Sequence, residues 1–218
     1  MERLLILIVL ITQVIINTKA QNEIKGGPWN TLFGESVDEV IRKIENNNPG
    51  VEMHRHPIEY NIIGLRIETP TEIDQVTYGT GEFKFLYQNG HTYLRMCEFN
   101  KIIPYENAFH EKLDKTQAKD WLNSNTAKVA NLVENIKNSL IAAYGEPFTS
   151  DEEMTEWIGE KGNYICLSIE YSDNIFSDLS YGYIPAYTLT LIFLEDSRTR
   201  EQTEKNREGC REEVALSN

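Results

Sequence analysis

Cysteine is scarce: Cys97, Cys166 and Cys210 are the only three in 218 residues. Three thiols allow at most one intrachain bridge, which excludes a disulfide-built scaffold and leaves stability to an apolar core. No Asn-x-Ser/Thr acceptor for N-glycosylation occurs anywhere. Basic residues are the minority, 21 against 34 acidic, for a net charge of −13. Such a charge repels phosphate backbones, and no basic stripe with interleaved aromatics offsets it, so nucleic acid is excluded as a partner. Disorder is excluded as well, because 40% of the chain is hydrophobic and 10% aromatic.

Long apolar runs are also missing, with one exception at the N-terminus. Leu4 to Ile16 is interrupted only by Thr12 and Gln13, follows Arg3, and leads to Asn17-Thr18-Lys19-Ala20. That order of basic start, apolar stretch and small residue is the grammar of a secretory signal peptide, with the cut after Ala20. A membrane span needs about 20 apolar residues, so the run is short for one, although an uncleaved signal anchor is the alternative. The chain is therefore expected to be exported, to the periplasm or the outside, with no transmembrane span in the mature part. The Asn- and Ile-rich composition without sequons points to a bacterial envelope.

What remains reads as one domain, residues 21–196, followed by a charged tail. Ser36 and Glu39 are spaced as a capping box, and Val37, Val40, Ile41 and Ile44 form one stripe, predicting a helix from Ser36 to Glu45. Asn46 to Gly50 ends it. Tyr60 to Ile67 reads as a strand. Asn89-Gly90 between alternating runs predicts a hairpin with a type I′ turn. Its register sets Tyr87 opposite Thr92, Phe85 opposite Leu94 and Phe83 opposite Met96 on an apolar face. The other face then collects Lys84 with Arg95, Leu86 with Tyr93, and Gln88 with His91, followed by Cys97 and Phe99.

Pro104 closes this half, and residues 105–124 show amphipathic patches without legible ends. A second helix is predicted from Thr126 to Tyr144, stopped by Gly145 and Pro147. Trp157 precedes a strand from Tyr164 to Tyr171, with Ile165, Leu167, Ile169 and Tyr171 inward. The last strand, Tyr187 to Leu194, turns apolar throughout, as a central strand does. Residues 197–218 hold few aliphatics and read as a solvated helix or a disordered tail. The two halves, about 27–104 and 125–196, share one order, helix then strands. The expected fold is α+β, helices packed on an antiparallel sheet.

Trp29-Asn30-Thr31-Leu32-Phe33-Gly34 before Ser36-x-x-Glu39-Val40, then LIAAYGEP from Leu140 to Pro147, Trp157 before a strand, and LIFLED from Leu191 to Asp196 resemble the modules of small exported bacterial proteins. These are the β-lactamase-inhibitor-protein-like and outer-membrane-lipoprotein-like α+β repeats. The resemblance implies a fold class and an envelope location. It transfers no binding residue, since the chain has no lipidated Cys and no matching inhibitory loop.

Chemistry-bearing residues are few. His54-x-His56 would point two imidazoles the same way from a strand, but spacing demands no third ligand, so it reads as a solvated pair and no metal is assigned. Ser36 lacks the second glycine of Gly-x-Ser-x-Gly and is explained as a helix cap. Cys166 shares its strand face with Ser168 and Glu170 and reads as a small half-buried residue or half of a bridge. Asp151-Glu152-Glu153 and Glu212-Glu213 read as solvated faces. No catalytic residue and no cofactor is assigned. Leu86, Tyr93, Arg95 and Phe99 on the hairpin's second face combine aromatics with Arg, the composition of protein-binding hot spots, and form the candidate binding residues. The expected function is a non-catalytic binding or envelope-accessory module for an unknown protein or envelope ligand. A small secreted hydrolase and a structural envelope component are the alternatives.

Overall fold

The computed structural model describes residues 23–106, 112–159, 162–175 and 182–196. The leader at 1–20 and the tail at 197–218 lie outside the described residues, and so does Cys210.

The first helix, α1, spans Val37–Asn47 and is capped as the sequence predicts. The Ser36 backbone N–H donates to the Glu39 carboxylate at 2.8 Å, and the Glu39 N–H donates back to the Ser36 hydroxyl at 3.4 Å. Val37, Val40 and Ile44 are buried. Helix α2 spans Lys115–Tyr144, starting eleven residues before the predicted Thr126. Asp114 and Gln117 form a second capping box, each side chain meeting the other's backbone N–H at 2.9 Å. The run Asn123-Ser124-Asn125-Thr126 hid the continuity, because these residues favour caps and turns. Here Ser124, Asn125 and Thr126 donate their side chains to the carbonyls four residues back, at 2.7, 2.9 and 3.0 Å, and the helix passes through.

Ten strands follow in chain order: β1 Met53–Glu59, β2 Ile62–Ile67, β3 Thr71–Ile73, β4 Val76–Tyr78, β5 Thr80–Gln88, β6 His91–Pro104, β7 Thr149–Ser150, β8 Met154–Ile158, β9 Tyr164–Ser172 and β10 Ala186–Leu194. Eight form one antiparallel sheet in the order β1-β2-β5-β6-β10-β9-β8-β7, and β3 with β4 form a separate hairpin. Strand thus outweighs helix among the described residues, and the architecture is a large antiparallel sheet backed by two helices. Each half supplies four strands of the main sheet, and the last strand of each, β6 and β10, meets its counterpart at the centre.

Two strand readings change. Tyr60 and Asn61 form the turn between β1 and β2, so the strand read from Tyr60 begins at Ile62 and has an unforeseen outer neighbour. Pro57 is tolerated there because β1 is an edge strand. Trp157 lies within β8 and is buried.

The Asn89-Gly90 turn has the positive φ angles of type I′, 53° and 82°. Pairing follows the prediction from Gln88–His91 to Phe85–Leu94, and then the register shifts. Lys84 faces Met96, where Arg95 was expected, and Phe83 faces Cys97, where Met96 was expected. The extra residue in β6 exchanges inside and outside for everything beyond it. Cys97 and Phe99 therefore join Phe83 and Phe85 on the helix-covered face, all fully buried. Trp29 from the segment before α1 closes over them, its ring edge-on to Phe99 at 5.6 Å. Cys97 aligns through Phe193 with Ile165, so Cys166, the next residue, faces the other side of the sheet. Those two cysteines cannot pair with each other.

Candidate functional site

A groove of about 740 Å³ opens between α2 and the sheet. Leu122, Val129 and Val133 line one wall, and Ile169, Tyr171 and Tyr187 the other. Ile169 and Tyr171 point toward the helix layer as alternation predicts, yet Tyr171 is 69% exposed, because the helix stands away from the end of β9. Tyr187 is anchored, its hydroxyl 2.7 Å from the Leu122 carbonyl and 2.9 Å from the Thr126 hydroxyl. At the other end Lys137 donates to the Ser150 hydroxyl at 3.0 Å and lies 3.6 Å from Glu134, tying α2 to the β7–β8 turn. That turn presents Asp151, Glu152 and Glu153 along the rim. The Asp151 carboxylate accepts the Glu153 and Met154 N–H groups at 3.0 and 2.7 Å, which sets the turn.

From Lys119 to Lys137, both at the groove, the helix rises about 27 Å at 1.5 Å per residue. Among the described residues no serine, cysteine or histidine lines it. The sequence carried little signal for this site. Its walls come from three distant segments, and on the helix wall only Val129 and Val133 fall within the predicted Thr126–Tyr144 helix, while Leu122 lies in the 105–124 stretch without legible ends.

The sequence-predicted binding residues separate. Leu86 and Tyr93 are cross-strand partners on the face opposite the helices, and Tyr93 is 36% exposed. Arg95 sits in the bulge, its guanidinium 2.9 Å from the Glu195 carboxylate. Phe99 is a core residue, placed by the bulge on the buried face. The aromatic patch therefore does not extend down β6. In its place runs a polar row: His56 to Glu82 at 2.7 Å, Lys84 to Glu98 at 2.9 Å, Asn100 to Glu98 at 3.1 Å and Thr190 to Asn100 at 2.8 Å. Gly64 permits the first link, since a Cβ there would stand 2.5 Å from His56 Nε2. Burial pushes the Glu98 carboxyl up, but hydrogen bonds from Lys84 and Asn100 and the Lys84 charge outweigh it and hold the carboxyl below its usual range.

His54 and His56 do point the same way, but each meets its own carboxylate, Glu68 at 3.4 Å and Glu82 at 2.7 Å. Among the described residues no three potential ligands gather around a metal position. The Ser36 hydroxyl lies 2.7 Å from the Glu39 carboxylate within the cap. A shallow hollow of about 380 Å³ adjoins it beside Tyr93, with the helix N-terminus already filled by that carboxylate. The Ser36 hydrogen bonds, from backbone and side chain, hold Glu39 below the usual carboxylate range. Cys166 is buried rather than half-buried. Burial pushes the Cys97 thiol up, against a hydrogen bond with Thr31, so it is a packing residue and not a nucleophile.

No family model, no curated protein and no solved structure matches this chain.

Proposed function

We propose that the protein is an exported, non-catalytic binding module whose groove along α2 takes a single apolar chain of an amphiphile. The observation that carries this reading is the groove: an elongated cleft with Leu122, Val129, Val133 and Ile169 on its walls and charged groups along its rim. Asp151, Glu152, Glu153 and Glu134 outnumber Lys119 and Lys137 around it, and the chain as a whole is acidic. A neutral or cationic head group therefore suits it better than an anionic one. The envelope location rests on the Leu4–Ile16 leader, and the helix-then-strands order of both halves supports the envelope-protein resemblance.

Fluorescence titration with a dansyl-labelled long-chain amine tests the site. Enhancement that saturates, and that falls when Ala130→Trp fills the groove, is the expected result. Ala130 is exposed, so the variant keeps its fold, as an unchanged melting temperature will show. The matching dansyl fatty acid should bind more weakly. No saturable signal, or one indifferent to Ala130→Trp, would remove the groove as the binding site. Catalytic turnover of a nitrophenyl ester or glycoside, lost in that same variant, would favour the hydrolase reading.

A further inference from the structure

Among the described residues, seven large hydrophobic side chains are exposed: Leu32, Ile58, Tyr60, Tyr87, Tyr93, Ile102 and Tyr171. Five of them lie at one end of the sheet. Tyr60 is the turn between β1 and β2, and it is fully exposed. Tyr87 stands beside it, its backbone N–H 2.7 Å from the Asn61 carbonyl. Tyr93 follows the Asn89-Gly90 turn, and Leu32 precedes Gly34, whose N–H meets the Leu94 carbonyl at 2.9 Å. Ile58 sits at the irregularity that ends β1. The end thus shows three tyrosines and two aliphatics on adjoining hairpin tips, spread as separate projections.

The chain enters the fold at this same end. Asn163, in the β8–β9 turn, donates to the Ile24 carbonyl at 2.9 Å. Residues flanking that turn, Ile158 and Tyr164, align through Leu194 with Met96, three positions from Tyr93. Upstream of Glu23, six residues separate the fold from Ile16, the last residue of the apolar run. Six residues reach at most about 20 Å, so in the uncleaved-anchor form, the alternative to a cut after Ala20, the run can reach a bilayer that this end of the sheet touches. Tyrosine, with an apolar ring and a polar tip, is the side chain that suits a membrane–water interface.

We propose that, in the chain that keeps its leader as an anchor, this end of the sheet is a membrane-facing surface, with Leu32, Ile58, Tyr60, Tyr87 and Tyr93 resting in the head-group layer of a zwitterionic bilayer at the same end of the strands as the entry point of the Leu4–Ile16 run. The net charge of −13 and the neighbouring Glu35, Glu59, Glu195 and Asp196 exclude attraction to anionic lipid as the driving force. The contact is one of apolar and aromatic side chains, and it is independent of the groove, whose Tyr171 end lies at the far end of the strands.

The test uses the full chain in phosphatidylcholine vesicles carrying a nitroxide at head-group depth. With Cys210→Ser in place, a single fluorophore is attached through Leu32→Cys or, at the far end, Tyr171→Cys, while Cys97 and Cys166 stay buried. The label at position 32 should be quenched severalfold more than the label at 171. Adding Tyr60→Ser, Tyr87→Ser and Tyr93→Ser should bring position 32 down to the level of 171 with the melting temperature unchanged, since these side chains are exposed. Equal quenching at both positions overturns the proposal, as does quenching that survives the three serines or appears only with anionic phosphatidylglycerol. Concentration-dependent shielding of position 32 without lipid would assign the surface to a second copy of the chain and also overturn it.

Discussion

Phe85 and Tyr93 lie close together near the hairpin turn, and their burial separates their roles. Phe85 is fully buried against Leu94, its cross-strand partner, so Phe85→Ala should cost about 3 to 5 kcal/mol in denaturant unfolding. Phe99→Ala should cost as much, because the bulge at Arg95 carries it into the same core. Tyr93→Ala, at an exposed site, should cost about 1 kcal/mol or less. A Phe99→Ala variant as stable as the parent would show that β6 pairs without the bulge. Glu98 adds a pH-dependent term. Its folded carboxyl titrates below the ordinary value of 4.5, so the folded chain binds fewer protons than the unfolded chain there. That contribution is complete above about pH 4.5 and is lost as the pH falls through the lowered folded value. The group is only half-buried, so solvent screening keeps the effect small. Melting temperature against pH should fall less steeply on the acid side in Glu98→Gln, and an unchanged acid slope would remove the Lys84–Glu98 pair from the account.

At the scale of elements, both helices begin with a reciprocal cap, and only one was legible. Ser36-x-x-Glu39 stands directly before an apolar stripe, whereas Asp114-x-x-Gln117 is followed by Ala118, Leu122 and then a polar interval. Ser36→Ala and Asp114→Ala should each cost about 1 kcal/mol, read as a drop in the unfolding midpoint. A neutral Asp114→Ala would mean that α2 starts later, near the predicted Thr126. The turn at Gly90 permits a sharper comparison. Its φ of 82° disfavours a β-branched side chain, although a Cβ there would meet no atom within 4 Å. Gly90→Val should therefore destabilise through the backbone alone, with Gly90→Asn nearly neutral because Asn tolerates that conformation.

Across the whole molecule, the two halves meet in the β6–β10 pairing, nine aligned residue pairs from Ala186–Pro104 to Leu194–Met96. Leu191 and Phe193 of β10 are buried there with Phe99 and Cys97 of β6. One sheet with a shared core should unfold in a single transition. The fluorescence of Trp29 alone and of Trp157 alone, each with the other tryptophans changed to Phe, should give the same urea midpoint. Leu191→Ala should lower both midpoints together by the same amount. Two separate midpoints would show that the halves are independent domains.

Periodicity and caps in the sequence determined α1, the Asn89-Gly90 turn, most of β9 and β10, and the helix-then-strands order of each half. These are local properties, set by spacing within about a dozen residues. The register past Arg95 was decided elsewhere, because Arg95 meets Glu195, just past the end of β10, and a single inserted residue reverses two faces without altering composition. For that reason Phe99, read as part of a binding surface, became a core residue. Pairing between strands distant in sequence also set the hidden edge strand β1 and the opposition of Cys97 and Cys166. The groove is the clearest tertiary product. It exists because α2 stands away from the end of β9, and a gap between packed elements has no signature in either one. The apolar Tyr171 that lines it looked like an ordinary inward residue, since alternation reports direction and not whether anything waits on that side.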